Sequence, residues 1–172
     1  MSENILWAVR KRYAQGKGSF AYSRVLGLDK GKEKFEIVVN REEAVIVCKI
    51  FRMFIQGLTP HTIAIALTAA GIPSPGGCEV WSAATVRRML SNEKYKGDML
   101  LQKEFTVDFL TKKVKKNEGE LPQYYVSNNH EPIIDPWLFD FVQENFKNRK
   151  RENKRRYSGI GFFSSKIICA KC

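Results

Sequence analysis

Three short helical patterns follow one another between residues 40 and 90, and they constrain the fold more than any other feature of the sequence. Each pattern opens on a residue that caps helices well, namely Asn40, Thr59 or Ser82, and continues with apolar residues three or four positions apart. A glycine ends each of the first two patterns, as is typical of helix C-termini. The sequence therefore predicts a unit of three short helices.

Strand patterns follow and precede this unit. Residues 35–39 alternate apolar with charged side chains, and residues 95–113 and 122–134 also have the composition of strands. The charged, glycine-bearing segment 112–121 predicts a hairpin tip or a mobile loop. Because strand pairs after a three-helix unit indicate a wing, the predicted fold class is α+β, with a winged-helix-like three-helix unit and a β-hairpin.

One further helix is predicted at each end of this unit. The first is capped by Ser2 and ends at Gly16, after a basic run, and the last begins at Asp135–Pro136. The apolar residues of the last helix that we expect to point inward are Trp137, Leu138, Phe141, Val142 and Phe146.

The charge balance predicts a polyanionic partner. The 172 residues include 29 Lys and Arg against 18 Asp and Glu, which gives a net charge of +11. Such a balance favours nucleic acid over an anionic membrane, although a basic protein without such a partner is the alternative. No run approaches the roughly 18 apolar residues of a membrane span, and no signal peptide is recognisable. We therefore expect an intracellular protein, located in the cytoplasm with the nucleoid.

The third helix is the candidate for reading DNA. A helix fits the major groove, and arginine presents a fork of donors to guanine or phosphate. A solvated helix face is the alternative interpretation, because about ten residues separate the second and third helices where a tight helix-turn-helix has three or four. The candidate DNA-binding residues are Ser82, Thr85, Arg87 and Arg88 on this helix, Lys94 and Lys96 after it, and Arg10, Arg12 and Lys17 near the N-terminus.

Cys169 and Cys172 have the spacing of half a zinc site. A structural zinc ion needs four ligands, and the remaining cysteines and histidines, at positions 48, 61, 78 and 130, are too scattered to complete a site. We therefore predict the first half of a zinc ribbon and expect no metal or other cofactor in this chain alone. A redox-active pair is the alternative. No nucleophile with an adjacent base, paired carboxylates or phosphate-binding glycine loop stands out, so no catalytic residue is predicted.

The order of these segments resembles the recombinase domain of the large serine recombinases, a family that includes phage integrases and transposases of mobile elements. The resemblance rests on a Gly-Ile-Pro-Ser-Pro loop, a Trp-Ser-x-x-Thr-Val-x-x-Met-Leu-x-Asn-x-x-Tyr-x-Gly segment and a later His-Glu-Pro-Ile-Ile segment. The matching residues are Gly71, Ile72, Pro73, Ser74, Pro75, Trp81, Ser82, Thr85, Val86, Met89, Leu90, Asn92, Tyr95, Gly97, His130, Glu131, Pro132, Ile133 and Ile134.

The resemblance implies four segments with different roles. They are the end of a catalytic-domain helix at 1–17, a linker at 18–34, the recombinase domain at 35–146, and a basic connector with the start of a truncated zinc ribbon at 147–172. In the family an N-terminal serine cuts DNA, and four subunits exchange the strands. That serine domain is not in this sequence, so the chain is expected to bind double-stranded DNA without cutting it. Zinc is expected in the full-length protein.

A second hypothesis is a protein-interaction module that joins recombinase subunits. Apolar residues of the predicted hairpin motivate it, namely Phe105, Val107, Phe109 and Leu110.

Overall fold

The computed structural model describes residues 3–18, 20–108, 111 and 113–155. This part of the chain contains five α-helices, two short 3-10 helices and six short strands. The α-helices are α1 (Glu3–Ala14), α2 (Arg41–Ile55), α3 (Pro60–Ala69), α4 (Ala83–Leu90) and α5 (Pro136–Arg155), and the 3-10 helices span Tyr22–Arg24 and Glu93–Lys96. The strands are β1 (Leu28–Lys30), β2 (Ile37–Val39), β3 (Met99–Leu101), β4 (Glu104–Asp108), β5 (Lys113–Lys116) and β6 (Tyr124–Val126). The mixed helix-and-sheet class is the one predicted. No helix of the described ranges is both long and apolar enough to cross a membrane.

Side-chain caps start α2, α3 and α4, as predicted. Asn40 accepts hydrogen bonds from two backbone N–H groups of the first turn of α2, at 3.2 and 3.3 Å. Thr59 and Ser82 each accept one from the residue three positions on, at 3.2 and 3.1 Å. Glu43 lies three residues after Asn40, where a capping box would return a hydrogen bond to the backbone of the cap residue, but its carboxylate accepts the backbone N–H of Gly27 at 2.7 Å instead.

The apolar faces of α2, α3 and α4 meet in one core, which α5 closes. Burying a large apolar side chain contributes roughly 1.5–3 kcal/mol, so this shared core is the main source of stability. Its ring contacts include Phe51 with Tyr95, at a centroid distance of 6.2 Å and nearly perpendicular. The buried members are Leu26, Val47, Ile50, Phe51, Phe54, Ile63, Ala64, Leu67, Trp81, Val86, Met89, Leu90, Tyr95, Ile134, Phe139 and Val142.

The predicted inward face of α5 is wrong in part. Trp137 and Phe141 are 67% and 45% exposed. Phe139 and Val142 are buried, and Leu138 and Phe146 pack against the core beside them. The buried face of α5 is therefore centred on Phe139, Val142 and Phe146. Trp137 and Phe141 lie on the side of the helix that is turned away from the core.

The six strands form three separate antiparallel pairs, β1 with β2, β3 with β6 and β4 with β5. Residues 113–116, which we expected in a hairpin tip or mobile loop, form β5. The segment 18–34, expected as a linker, contributes β1 and a 3-10 helix. Leu26 and Leu28 of this segment are buried, so much of the segment packs on the core.

Candidate nucleic-acid interface

Trp81 fixes the start of α4 against α3. Its side chain is 4% exposed, its indole Nε1 donates to the carbonyl oxygen of Ile72 at 2.7 Å, and its backbone N–H donates to Oγ1 of Thr68 at 3.0 Å. The connection between α3 and α4 is long, but these bonds set the position of α4. The long break that argued against a reading helix therefore does not leave α4 loose.

The loop before Trp81 is closed on itself. The backbone N–H of Ser74 donates to the carbonyl oxygen of Cys78 at 2.9 Å. The backbone N–H of Gly77 donates to the carbonyl oxygen of Ser74, also at 2.9 Å. Ser74 is buried, whereas Cys78 is exposed. The loop is thus a defined turn that lies beside the first part of α4.

The outer face of α4 carries two arginines, and the small residues one turn before and after them lie between their side chains on the helix surface. Arg87 and Arg88 are exposed, and Ala84 and Ser91 lie on the same outer face. Consecutive helical residues differ by about 100° in direction, so the two guanidinium groups diverge on either side of the small residues. Among the described carboxylates, none forms an ion pair with either arginine, and the nearest polar contact is from Arg88 to Oγ1 of Thr85 at 3.5 Å.

Ser82 and Thr85 lie at the N-terminal end of the same helix. Their hydroxyl oxygens are 2.9 Å apart. Ser82 is exposed and Thr85 is half-buried. Thr85 and Arg88 therefore lie on one side of α4, with Ser82 at its start, whereas Arg87 points about 100° away from Arg88.

Lys94, a predicted phosphate contact, is a buried part of the scaffold. It is 8% exposed, its ammonium lies 3.3 Å from Oε1 of Glu93, and it sits 5.0 Å from the ring centre of Phe20. Burial lowers the pKa of Lys94, although the Glu93 carboxylate opposes that shift. Phe20 covers the ammonium of Lys94, so this side chain is not presented on the surface beside α4.

Lys96 is also engaged within the protein. Its ammonium lies 3.3 Å from Asp98 and 3.3 Å from Asp140, and its side chain is 18% exposed. Burial alone would lower the pKa of Lys96, but hydrogen bonds with Tyr125, Asp140 and Asp98 raise it above the ordinary value. Burial would likewise raise the pKa of Asp98, but hydrogen bonds from Tyr125 and from the backbone of Asn128 hold it below the ordinary value.

The N-terminal cations lie on and just after α1. Arg12 and Lys17 are exposed and Arg10 is half-buried. The end of α1 packs against β6, where Tyr13 faces Tyr124 at a ring distance of 6.3 Å. These three predicted DNA-binding residues therefore lie on a segment that is far from α4 in sequence.

Arg24 was missed in the sequence analysis. It is exposed at the end of its 3-10 helix. With α4 and the turn at Pro75 it borders a cleft of about 420 Å³. Only the packing of the segment 20–28 on the core brings it there, and no local pattern signals that contact. The cleft is lined by Arg24, Pro75, Gly76, Thr85, Arg88, Met89, Asn92 and Tyr95.

The described residues offer no metal site. No group of three or more His, Cys, Asp or Glu residues is arranged to hold an ion within the described ranges. Cys48 contacts the carbonyl oxygen of Ile133 through its sulfur at 3.8 Å. Nε2 of His130 lies 2.7 Å from the carbonyl oxygen of Lys94 and therefore carries the proton. Cys169 and Cys172 lie outside the described residues, so the predicted half zinc site stays a prediction.

Sequence comparisons match this chain to recombinases. Residues 41–149 match the family model described as Recombinase. A putative DNA recombinase of Bacillus subtilis (strain 168) is 26% identical over 162 residues, which cover 87% of this chain and 32% of that protein. The uncharacterized protein YefB of the same organism is 28% identical over 92 residues, which cover 54% of this chain and 30% of that protein. The chain thus spans about a third of the length of these relatives.

Two solved structures share the fold. One, described as a crystal structure of a LSR–DNA complex, superposes with a TM-score of 0.62 at 20% identity and covers 99% of this chain and 46% of its own. The other is described as "Sequence Requirements of the Listeria innocua prophage attP site". It superposes with a TM-score of 0.59 at 20% identity and covers 92% of this chain and 58% of its own. The arrangement of helices and strands described above is therefore one already known in solved proteins.

Proposed function

This chain belongs to the recombinase family, and we propose that it is the DNA-recognition part of a site-specific large serine recombinase. In this proposal α4 enters the major groove of the recombination site. The observation that carries the proposal is the outer face of α4, where Arg87 and Arg88 are exposed and unpaired with any described carboxylate.

The chemistry of this face suits a DNA groove. An α-helix fits the major groove, and arginine forms two hydrogen bonds with the O6 and N7 atoms of guanine or with a phosphate. The small side chains of Ala84 and Ser91 allow the helix backbone to come close to the bases. The hydroxyls of Ser82 and Thr85 complete the set of donors, and they serve bases or phosphates equally well.

The remaining cations divide into two groups in this proposal. Arg10, Arg12 and Lys17 contact the phosphate backbone, in keeping with the net charge of +11. Lys94 and Lys96 act indirectly, because their ion pairs with Glu93, Asp98 and Asp140 support the chain that follows α4.

The rest of the recombination reaction is assigned to other parts of a longer protein. Strand cleavage and exchange belong to a serine domain that this sequence does not contain, so this chain binds the site without cutting it. Zinc belongs to a ribbon begun by Cys169 and Cys172. The β4–β5 hairpin is the proposed wing, and the protein acts in the cytoplasm at the nucleoid. The fold that this chain shares with the LSR–DNA complex supports the DNA-binding part of the proposal.

A salt-dependent DNA titration tests the proposal. Fluorescence anisotropy of a labelled duplex that carries the recombination site is measured at several salt concentrations, with the wild-type chain and with the Arg87→Ala/Arg88→Ala double variant. We expect the variant to lose roughly 1–6 kcal/mol of specific binding, on the scale of one or two bidentate base contacts.

A charge-matched control separates recognition from charge. Lys49→Ala/Arg52→Ala removes two exposed cations of α2 and leaves α4 unchanged. Both double variants lower the net charge equally, so a purely electrostatic effect would weaken binding to a similar degree in the two. Unchanged affinity of the Arg87/Arg88 variant for the natural site would contradict the placement of α4.

The second candidate function is subunit assembly through α5 and the hairpin. It is favoured by the exposure of Trp137 and Phe141 on one face of α5 and of Val107 and Val114 on the hairpin. The predicted hairpin residues Phe109 and Leu110 lie outside the described residues. Sedimentation at increasing concentration without DNA tests this candidate, and Trp137→Ser/Phe141→Ser is expected to abolish any association. A strict monomer that binds DNA tightly would exclude assembly as the main role.

A further inference from the structure

We propose that the cleft between Arg24 and α4 is a binding site for one phosphate, clamped by Arg24 and Arg88. Resting on the proposed function, we infer that the ligand is a backbone phosphate of the DNA that α4 reads. The two adjacent arginines of α4 then have different tasks, since Arg88 holds the backbone and Arg87 faces the bases.

The lining of the cleft favours an anion. Arg24 and Arg88 border the same cleft of about 420 Å³, and its lining contains no acidic residue. The other polar side chains are those of Thr85, Asn92 and Tyr95, which carry a hydroxyl, an amide and a phenol group. Two like charges that border one cleft repel each other, and an oxyanion between them relieves that repulsion. Phosphate matches the planar fork of arginine better than any neutral ligand does.

The carboxylates near Arg24 accept hydrogen bonds from other groups. Asp29 and Glu43 border a neighbouring cleft together with Arg24. The carboxylate of Asp29 accepts from the side-chain amide of Asn40 at 2.9 Å, and that of Glu43 accepts from the backbone of Gly27 at 2.7 Å. Within the described residues Arg24 therefore has no ion-pair partner. Its charge is left for a ligand.

The backbone on both sides of Arg24 is fixed by packing. On one side the tilted rings of Phe20 and Tyr22 contact each other with centroids 4.2 Å apart, and the ammonium of Lys94 lies against Phe20. On the other side Leu26 is buried in the core. A cation presented from fixed backbone loses less conformational entropy when it binds, so the site is preorganised.

Arg88 occupies the edge of α4 that faces this cleft. Thr85, Arg88, Met89 and Asn92 all line it and are spaced by three or four residues, so they form one side of the helix. Arg87 does not line the cleft, because it points about 100° away. The division of tasks between the two arginines follows from this geometry.

Two measurements test the site, one of them without DNA. In the first, inorganic phosphate is titrated into the isotopically labelled chain while the Nε–Hε signals of the arginines are recorded by NMR, with sodium chloride at equal ionic strength as the reference. We expect the signals of Arg24 and Arg88 to shift together and that of Arg52, an exposed arginine of α2, to stay in place.

The second measurement compares the salt dependence of duplex binding in Arg24→Ala and Arg52→Ala. Each lost phosphate contact reduces the slope of log K against log salt by about 0.9. We expect Arg24→Ala to show that reduction and a roughly tenfold loss of affinity that is equal for all sequences, while Arg52→Ala keeps the wild-type slope. Arg24→Lys, which keeps the charge but lacks the fork, should recover part of the affinity. Melting curves verify that each variant folds.

The outcomes separate this inference from the proposed function. Duplex binding with an unchanged slope in Arg24→Ala overturns the phosphate clamp and leaves the reading role of α4 intact. Shifts of Arg24 and Arg88 with phosphate, but no duplex binding, support the cleft as a phosphate site and overturn DNA as its source. A shift of Arg52 equal to theirs shows nonspecific association and overturns the site.

Discussion

Gly27→Ala is expected to destabilise the fold strongly, for two independent reasons. Gly27 has a φ angle of +86°, which costs an alanine roughly 1–2 kcal/mol. A Cβ at this position would lie 2.9 Å from Cδ1 of Ile133 and 3.2 Å from Cγ2 of Val47, both of which pack at the core. Overpacking of this kind costs about 1–3 kcal/mol. The two costs add to roughly 2–5 kcal/mol.

Gly76→Ala isolates the packing cost. Gly76 has nearly the same φ angle, +89°, but a Cβ there would meet nothing within 4 Å. Both substitutions carry the same backbone strain and the same change in the entropy of the unfolded chain. The difference between the two variants therefore reports the clash of Gly27 with Ile133 and Val47 alone, and it should be about 1–3 kcal/mol.

Urea unfolding followed by circular dichroism measures both variants against the wild-type chain, with a common slope for the dependence of the free energy on urea. If the free energies of unfolding of the two variants agree within about 0.5 kcal/mol, the close packing around Gly27 is refuted. Since Gly27 lies three residues after Arg24, a disturbed Gly27 should also weaken DNA binding in the proposed function.

Three further predictions follow from the caps, the ion pairs and α5. Ser82→Ala should lower the free energy of unfolding by about 1 kcal/mol through loss of the helix cap, and Ser82→Asp, which can still cap, should restore most of it in the same assay. Asp98→Asn should be less stable than the wild-type chain at pH 7, because the folded state, with its Tyr125 hydrogen bond, depresses the pKa of Asp98. That contribution is complete above the unfolded pKa of about 3.9 and is lost as the pH falls through the folded value, so urea unfolding at pH 7 and near pH 2 should show the difference between the two proteins shrinking in acid. Trp137→Ala should change thermal stability by less than about 0.5 kcal/mol because the side chain is exposed, whereas Phe139→Ala should cost roughly 3–5 kcal/mol, and equal losses would contradict the observed face of α5.

Local signals explain what the sequence predicts well. The caps at Asn40, Thr59 and Ser82 act within three residues of each helix start, so they can be read without knowledge of the fold. The apolar positions that repeat at helical spacing in α2 and α4 are also the buried ones, Val47, Ile50, Phe51 and Phe54 in α2 and Val86, Met89 and Leu90 in α4, because a helix buried on one face repeats its apolar positions regularly. The surface of α4 that carries Arg87 and Arg88 follows from the same periodicity.

Tertiary contacts explain what could not be predicted. Lys94 resembles a solvated lysine in the sequence, but Phe20, more than seventy residues earlier, lies over its ammonium in the folded chain. Glu43 matches a capping box, but the backbone of Gly27 competes for its carboxylate. Arg24 joins α4 across a cleft through a segment that reads as a linker. In each case the deciding partner is distant in the chain.

The pairing of β3 with β6 holds the two ends of the chain between them side by side. Leu101 and Tyr124 face each other across this antiparallel ladder, and β4 and β5 beyond it pair with each other and with no other described strand. The chain between β3 and β6, residues 102–123, starts and ends at adjacent points of this ladder. A two-residue turn such as Asn-Gly could therefore join the two strands directly. The same junction between β3 and β6 would accept a longer insertion or a labelling peptide.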